Sequence, residues 1–320
     1  MKEKMLPFAF SKGEISTIRV IAEHQDSSIR DLSALTRKSE SSISQMVKGL
    51  EKKGIVATKK HGMKKLVCIS DRNFALTLRE VLRAEPYVPW ETLISNSNIA
   101  VLLKNVTGEE SFGYGISSVS SWRAIRNLSM HGLNITSSEK QPAGNRNLLR
   151  FVREFSDHVS MEYLTEKLPR DAIILWRSGY RCLFKIRKNS GKKEERLPIE
   201  PFPTALSVSP DYGIRFLTQD SYYYHDPNLN KLTIEDVILH TLLIDPESPT
   251  YSTYALLLAF KNKRNMDIDS LVDKSIKYNL VEKTRNFISY IRSNGGAREW
   301  PLPKPKELQE QADLYGVVIG

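Results

Sequence analysis

The chain is 320 residues long, with 40% hydrophobic and 26% charged residues, which is the balance of a folded globular protein rather than a disordered one. Its two cysteines, Cys68 and Cys182, exclude a disulfide framework and fit a reducing cytosol. The N-terminal Met-Lys-Glu-Lys-Met-Leu-Pro lacks the apolar core of a signal peptide, and the longest apolar runs, such as Tyr254–Phe260, fall far short of the roughly 20 residues of a bilayer span, so a cytoplasmic protein with no membrane contact is expected.

At roughly 100–200 residues per domain, the length predicts two or three domains. The net charge of +10 is unevenly spread. Residues 1–72 carry 15 basic and 8 acidic side chains, net +7, and residues 73–152 are +2, 153–200 are +3 and 201–320 are −2. A basic amino-terminal block joined to a neutral-to-acidic remainder is the asymmetry of a nucleic-acid reader attached to another module, although a basic face that is merely solvated has the same composition.

Between Ser11 and Glu23, Ile15, Ile18 and Ala22 fall on one side of a helix. Ser28, followed three residues later by Asp31, makes a capping box with a short acid and opens a helix carrying Ile29, Leu32 and Leu35. Thr36-Arg37-Lys38 is a polar turn, and Ser39 or Ser41 caps a third helix whose inward residues are Ile43, Val47 and Leu50. Lys52-Lys53-Gly54 ends it, with cations in the last turn and glycine beyond. After Gly54 the period changes. Ile55–Thr58 and Leu66–Ile69 read as strands around a basic turn, Lys59–Lys65.

Three helices followed by a basic hairpin is the winged helix-turn-helix order. Such a third helix lies in the major groove. Its outward residues Ser42, Ser44, Gln45 and Lys48 suit base edges, Gln by a bidentate bond to adenine and Ser by bonding several bases. Lys59, Lys60, Lys64 and Lys65 on the wing suit phosphates, which add affinity without sequence information. The stretch Ser41-Ser42-Ile43-Ser44-Gln45-Met46-Val47-Lys48-Gly49-Leu50-Glu51-Lys52-Lys53-Gly54-Ile55-Val56 resembles the winged-helix domains of bacterial and archaeal transcription regulators of the MarR/ArsR type. It departs from their pattern at Gln45, where Arg is common, and at Gly49, a flexible residue in mid-helix. The latter costs about 0.5–1 kcal/mol relative to Ala unless it permits a close contact. Many winged helices serve protein contact instead of DNA.

Residues 73–92 read as a linker helix, with Phe74, Leu78 and Leu82 as its apolar stripe before Pro86 and Pro89. Residues 93–152 read as a second, degenerate winged helix. Ile99, Leu102, Leu103 and Val106 make a helix face, and residues 117–135 echo residues 41–56. Leu128 and Gly132 match Leu50 and Gly54 at an offset of 78, whereas the serine cluster at 117 requires 76. The middle helix, Thr107–Ile116, is weakened by Gly108, Gly113 and Gly115. A hairpin is expected from Asn134–Thr136, a turn at 142–145, and a strand at Leu148–Val152. Arg123, Arg126 and Arg146 offer a second DNA contact, with packing or dimerisation as the equal alternative.

Residues 153–300 read as an α+β domain. A helix over 153–168 precedes strands at Ala172–Trp176 and Arg181–Ile186 about an Arg177–Tyr180 turn. Further strands are expected at Ala205–Ser209 and Gly213–Thr218, followed by Tyr222–Tyr224. Four helices follow, at Thr233–Ile244, Tyr251–Lys263, Asp267–Tyr278 and Val281–Arg292, and a proline-rich linker and tail helix occupy 301–320. Leu232–Leu243 is similar to a motif in the C-terminal domain of abortive-infection type IV antitoxins. That resemblance implies an autorepressor whose C-terminal domain neutralises a nucleotidyltransferase-like toxin.

Chemistry is sparse. The six histidines have no metal-ligand spacing with one another or with cysteine, and there is no glycine-rich phosphate loop or nucleophile elbow. Asp267-Ile268-Asp269 has a two-metal spacing, but acids also suit a helix N-terminus. Tyr222–Asp226 reads as an aromatic strand ending in a turn, and His240 as a hydrogen-bonded core residue. The expectation is an α+β chain of tandem winged helices plus a sheet-and-helix-bundle domain, not an enzyme and without cofactor or metal. It would bind double-stranded DNA sequence-specifically, through helix 41–53 and wing 59–65, as a prokaryotic transcription regulator. The C-terminal domain would take a toxin-like protein or a small-molecule effector, and the chain is a candidate homodimer. The alternative is the antitoxin-like autorepressor.

Overall fold

A computed structural model describes residues 8–24, 26–62, 64–95, 97–108, 112, 116–133, 145–188, 199–299 and 301–319. The chain divides into two units, 1–162 and 163–320, each mixed helix and sheet.

The first unit opens with α1 (Lys12–His24), β1 (Ser27–Ser28), α2 (Ile29–Thr36) and α3 (Glu40–Lys52), followed by the hairpin β2 (Val56–His61) and β3 (Lys64–Ile69). The strands form an antiparallel sheet in the order β1-β3-β2. Ile15, Ile18 and Ala22 of α1, Leu32 of α2, and Ile43, Val47 and Leu50 of α3 are all buried, as the helical period requires. The other two residues expected inside α2 are not buried: Ile29 is half-buried, and Leu35, on the outer side of the short helix, is exposed. The Ser28 hydroxyl accepts from the Asp31 backbone N–H while the Asp31 carboxylate accepts from the Ser28 N–H, completing the capping box. The Ser28 hydroxyl donates to the same carboxylate at 2.6 Å, and this bond, with that from the Ser28 N–H, holds the Asp31 carboxyl below the ordinary carboxylate range.

Next come α4 (Asn73–Ala84), a single turn α5 (Trp90–Leu93), α6 (Ser97–Thr107), α7 (Ser118–Met130) and α8 (Asn145–Lys167), whose residues up to Glu162 belong to this unit. Phe74, Leu78 and Leu82 of α4 are buried. Residues 148–152 are helical, not a returning strand. Leu148, Phe151, Val152 and Phe155 recur at i, i+3, i+4 and i+7, and all are buried. Phe155 stacks on Phe10 at 5.3 Å and on Phe151 at 5.4 Å, and meets Phe74 at 5.6 Å. A five-residue stretch with four apolar side chains fits strand or helix equally; this aromatic cluster selects the helix. The expected strand 134–136 and most of the middle helix 107–116 lie outside the described residues, and among those described neither sheet draws a strand from 93–152.

The second unit has a four-stranded antiparallel sheet. Its strands are β4 (Ile173–Ser178), β5 (Arg181–Arg187), β6 (Phe202–Pro203) and β7 (Asp220–His225), in the order β4-β5-β7-β6. Segments 205–209 and 213–218 are not strands. Ala205–Ser207 and Ser209–Tyr212 are 3-10 turns, Ala205 takes a positive φ of 49°, and Gly213 closes the second turn at φ 81°. A residue with left-handed φ and a proline, Pro210, interrupt any ladder there. The helices α9 (Ile234–Ile244), α10 (Pro249–Lys261), α11 (Ile268–Ile276), α12 (Val281–Arg292) and α13 (Pro305–Tyr315) follow. Residues Ile234 to Leu243 of α9 are buried on every side, which makes it the central helix. Leu302, Leu308, Ala312 and Val317 join the same core, so the proline-rich segment and α13 are packed parts of this unit.

Candidate nucleic-acid interface

The geometry of α3 is set at both ends. Ser39 is its N-cap, its hydroxyl accepting from the Ser42 N–H at 3.3 Å. The turn before it places Arg37 in the left-handed region at φ 54°, and the Lys38 N–H bonds Ser33 O at 3.2 Å. At the far end Gly54 adopts φ 71°, and the Ile55 N–H bonds Leu50 O at 3.0 Å, the closing pattern that favours glycine.

Mid-helix Gly49 has a packing reason. A Cβ there would lie 2.9 Å from Oε1 of Glu14 on α1. Glu14 is buried, accepts from the Ser11 N–H at 2.7 Å and pairs with Lys53 Nζ at 2.6 Å. The bare glycine therefore admits an ion pair that ties α1 to the end of α3.

With the core side fixed, the opposite side of α3 faces solvent. Gln45 and Lys48 are exposed and Ser42 and Ser44 half-buried. Ser41 and Lys52 belong to the same face and are also exposed, and the sequence reading missed both. Ser41, Gln45, Lys48 and Lys52 follow i, i+4, i+7 and i+11, a spacing legible once the helix is known to start at Glu40.

Lys59, Lys60, Lys64 and Lys65 are exposed at the hairpin tip. The register sets Lys60 directly opposite Lys65, and His61 opposite Lys64. Like charges facing each other across a strand pair are destabilising. None of Lys48, Lys52, Lys59, Lys60, Lys64 and Lys65 lies within ion-pair distance of a described carboxylate, whereas Lys53 of the same unit is paired.

Arg123 and Arg126 are exposed on α7, and Arg146 is exposed in the first turn of α8; none lies on α3 or the hairpin. The N-caps of α3 and α7 are Ser39 and Ser117. The offset is thus 78 at both ends of the helix, and the apparent 76 came from aligning Ser41 with Ser117.

In the second unit the polar residues singled out are structural in their bonding. His240 is wholly buried, with Nδ1 2.7 Å from Thr204 Oγ1, Nε2 2.7 Å from the Tyr278 hydroxyl, and its ring stacked on Tyr224 at 4.3 Å. Burial pushes its pKa down to about 3. Lys277 pairs with Asp226 at 3.1 Å and lies 4.9 Å from the Tyr224 ring. Burial would raise the Asp226 carboxyl, but the Asn228 N–H and Lys277 hold it below its ordinary range. His225 is buried and its imidazole shifted down by burial; Nε2 has no hydrogen-bond partner among the described residues. Cys182 is buried and its thiol pushed up to about 12. Asp267 is the N-cap of α11, accepting from the Asp269 and Ser270 N–H groups, so the Asp-x-Asp spacing is a cap. Among the described residues no group of His, Cys, Asp and Glu is arranged to hold a metal ion, and no helix is long and apolar enough to cross a membrane.

Residues 202–317 match the family described as HVO_2833_C, C-terminal. The match runs from β6 to just past α13 and leaves the first unit untouched. No curated protein and no solved structure matches the chain.

Proposed function

We infer that residues 1–72 are a winged helix-turn-helix domain that binds duplex DNA, and that the protein is a sequence-specific transcription regulator. The observation that carries this reading is the hairpin tip. Lys60 and Lys65 face each other, as do His61 and Lys64, with no described carboxylate in ion-pair range. A pairing that is unfavourable in the free protein is relieved by a polyanion, because bound phosphate replaces repulsion with attraction and releases counterions. Beside it, α3 offers Ser41, Ser44, Gln45, Lys48 and Lys52 on one outward side, in the order α1-β1-α2-α3-β2-β3 of a winged helix. In this reading α3 enters the major groove, the wing grips phosphates, and the second unit is the effector- or partner-binding half. Mechanism then needs no bond-making step: occupancy of an operator blocks or recruits polymerase.

The test is anisotropy titration of labelled duplexes selected from random sequence, over a series of salt concentrations. Replacing Lys59, Lys60, Lys64 and Lys65 with Ala is expected to flatten the log K against log salt slope by about 3.6, at about 0.9 per phosphate contact. Gln45→Ala is expected to relax preference at one base position, at about 1–3 kcal/mol of discrimination, with the slope unchanged. Wild-type protein that binds no duplex at low salt ends the reading.

A further inference from the structure

We propose that the outward face of α7 is a docking site for an acidic, apolar segment of a partner protein. α7 repeats α3 position for position. Both helices span 13 residues behind a serine N-cap. Both end at a glycine with φ 71°, Gly54 and Gly132, and the next residue closes each helix with a 3.0 Å bond, Ile55 to Leu50 O and Leu133 to Leu128 O. The face that carries Ser41, Ser44, Gln45, Lys48 and Lys52 on α3 carries Val119, Trp122, Arg123, Arg126 and Met130 on α7, all exposed. The scaffold is kept and the chemistry is replaced.

Val119, Trp122 and Met130 are 55%, 59% and 72% exposed on that side of the helix, and Ile125, at its edge in the position of Val47, is 45% exposed. Contiguous apolar surface of that kind marks an interaction site. The helix contains no Lys, Asp or Glu. Trp, Met and Arg with few Lys, Asp or Glu is the composition of interface cores, and Trp and Arg dominate their binding energy. Arg126 lies over the Trp122 ring, 5.5 Å from its centroid, so cation and aromatic are presented together.

Charge decides the occupant. Neither Arg123 nor Arg126 is within ion-pair range of a described carboxylate, and α7 has no acid of its own. Pairing α7 with α7 of a second copy would gather four guanidiniums with no carboxylate on either helix. A nucleic acid would set three large apolar side chains against a polyanion for the sake of two cations. A segment with apolar anchors and flanking carboxylates satisfies the patch and both arginines.

The probe is a phage-displayed library of random peptides panned on the full-length protein, with enriched sequences resynthesised and measured by anisotropy. Enriched peptides are expected to combine Asp or Glu with aromatic or aliphatic residues. Trp122→Ala is expected to weaken them about tenfold or more, the size of a hot-spot loss. Arg123→Glu with Arg126→Glu is expected to switch enrichment towards basic peptides. Both variants should keep the wild-type melting temperature, because the altered side chains are exposed, and Trp122→Ala should also keep the wild-type duplex affinity, because it removes no cation and lies off α3. The proposal is overturned by panning that yields no acidic binders sensitive to Trp122→Ala. It is equally overturned by light scattering that shows a dimer dissolved by Trp122→Ala, or by duplex affinity that falls with Trp122→Ala as it does with Lys48→Ala.

Discussion

His240 makes the second unit sensitive to acid by a predictable amount. Both ring nitrogens are bonded inside the core, to Thr204 and Tyr278, and burial is the main cause of a pKa lowered from 6.5 to about 3. Lys277 and Lys274 lower it further, and Asp236 opposes them. Between those two values the unfolded chain takes up a proton that the native imidazole refuses. Stability is therefore fully present above pH 6.5 and is lost as pH falls towards 3. At about 1.36 kcal/mol per pH unit, the loss between pH 7 and pH 5 comes to about 2 kcal/mol. Urea unfolding of the wild type and of His240→Gln at pH 7, 6 and 5 isolates this share, because the other titrating groups drop out of the difference. The wild type is expected to lead at pH 7, and its lead to shrink by about 2 kcal/mol at pH 5. A lead that stays constant over that range refutes the reasoning. So does a native His240 that titrates near 6.5 by NMR.

Two further outcomes test the construction of the first unit. Ser39→Ala is expected to cost about 1 kcal/mol in thermal or urea unfolding through loss of the α3 cap, whereas Ser41→Ala, at the exposed second residue of the helix, is expected to change stability by under about 0.5 kcal/mol. Gly49→Ala gains about 1 kcal/mol of helix propensity, but its Cβ displaces Glu14 from Lys53, and a broken buried pair costs about 3–5 kcal/mol; the expected net is a loss of about 2–4 kcal/mol. The same change made in a Glu14→Ala background should be neutral or stabilising, and a loss there as large as in the wild type would show that the carboxylate is not the obstacle.

Local signals in the chain were enough for a good part of the architecture. The period of Ile15, Ile18 and Ala22, and of Ile43, Val47 and Leu50, placed the buried faces of α1 and α3, because a helix that hides one side must space its apolar residues at that period. The Ser28–Asp31 box and the turn glycine at 54 marked ends, since capping bonds are made within a few residues. The four helices from 233 to 292 were legible for the same reason.

What needed the third dimension was everything settled by distant neighbours. Leu148–Val152 is helix because Phe10, Phe74 and Phe155 gather there, which no window of five residues reveals. Gly49 looks like a defect until Glu14 of another helix fills the space it leaves. The opposition of Lys60 to Lys65 depends on strand register, and the exposure of Trp122 on what does not pack against it. Sequence by itself determined which residues are able to form helices, caps and a basic hairpin, because those depend on near neighbours along the chain. Only tertiary structure decided what each buried face meets and which apolar side chains, such as Trp122, stay in water, because burial is a property of surfaces brought together from far apart.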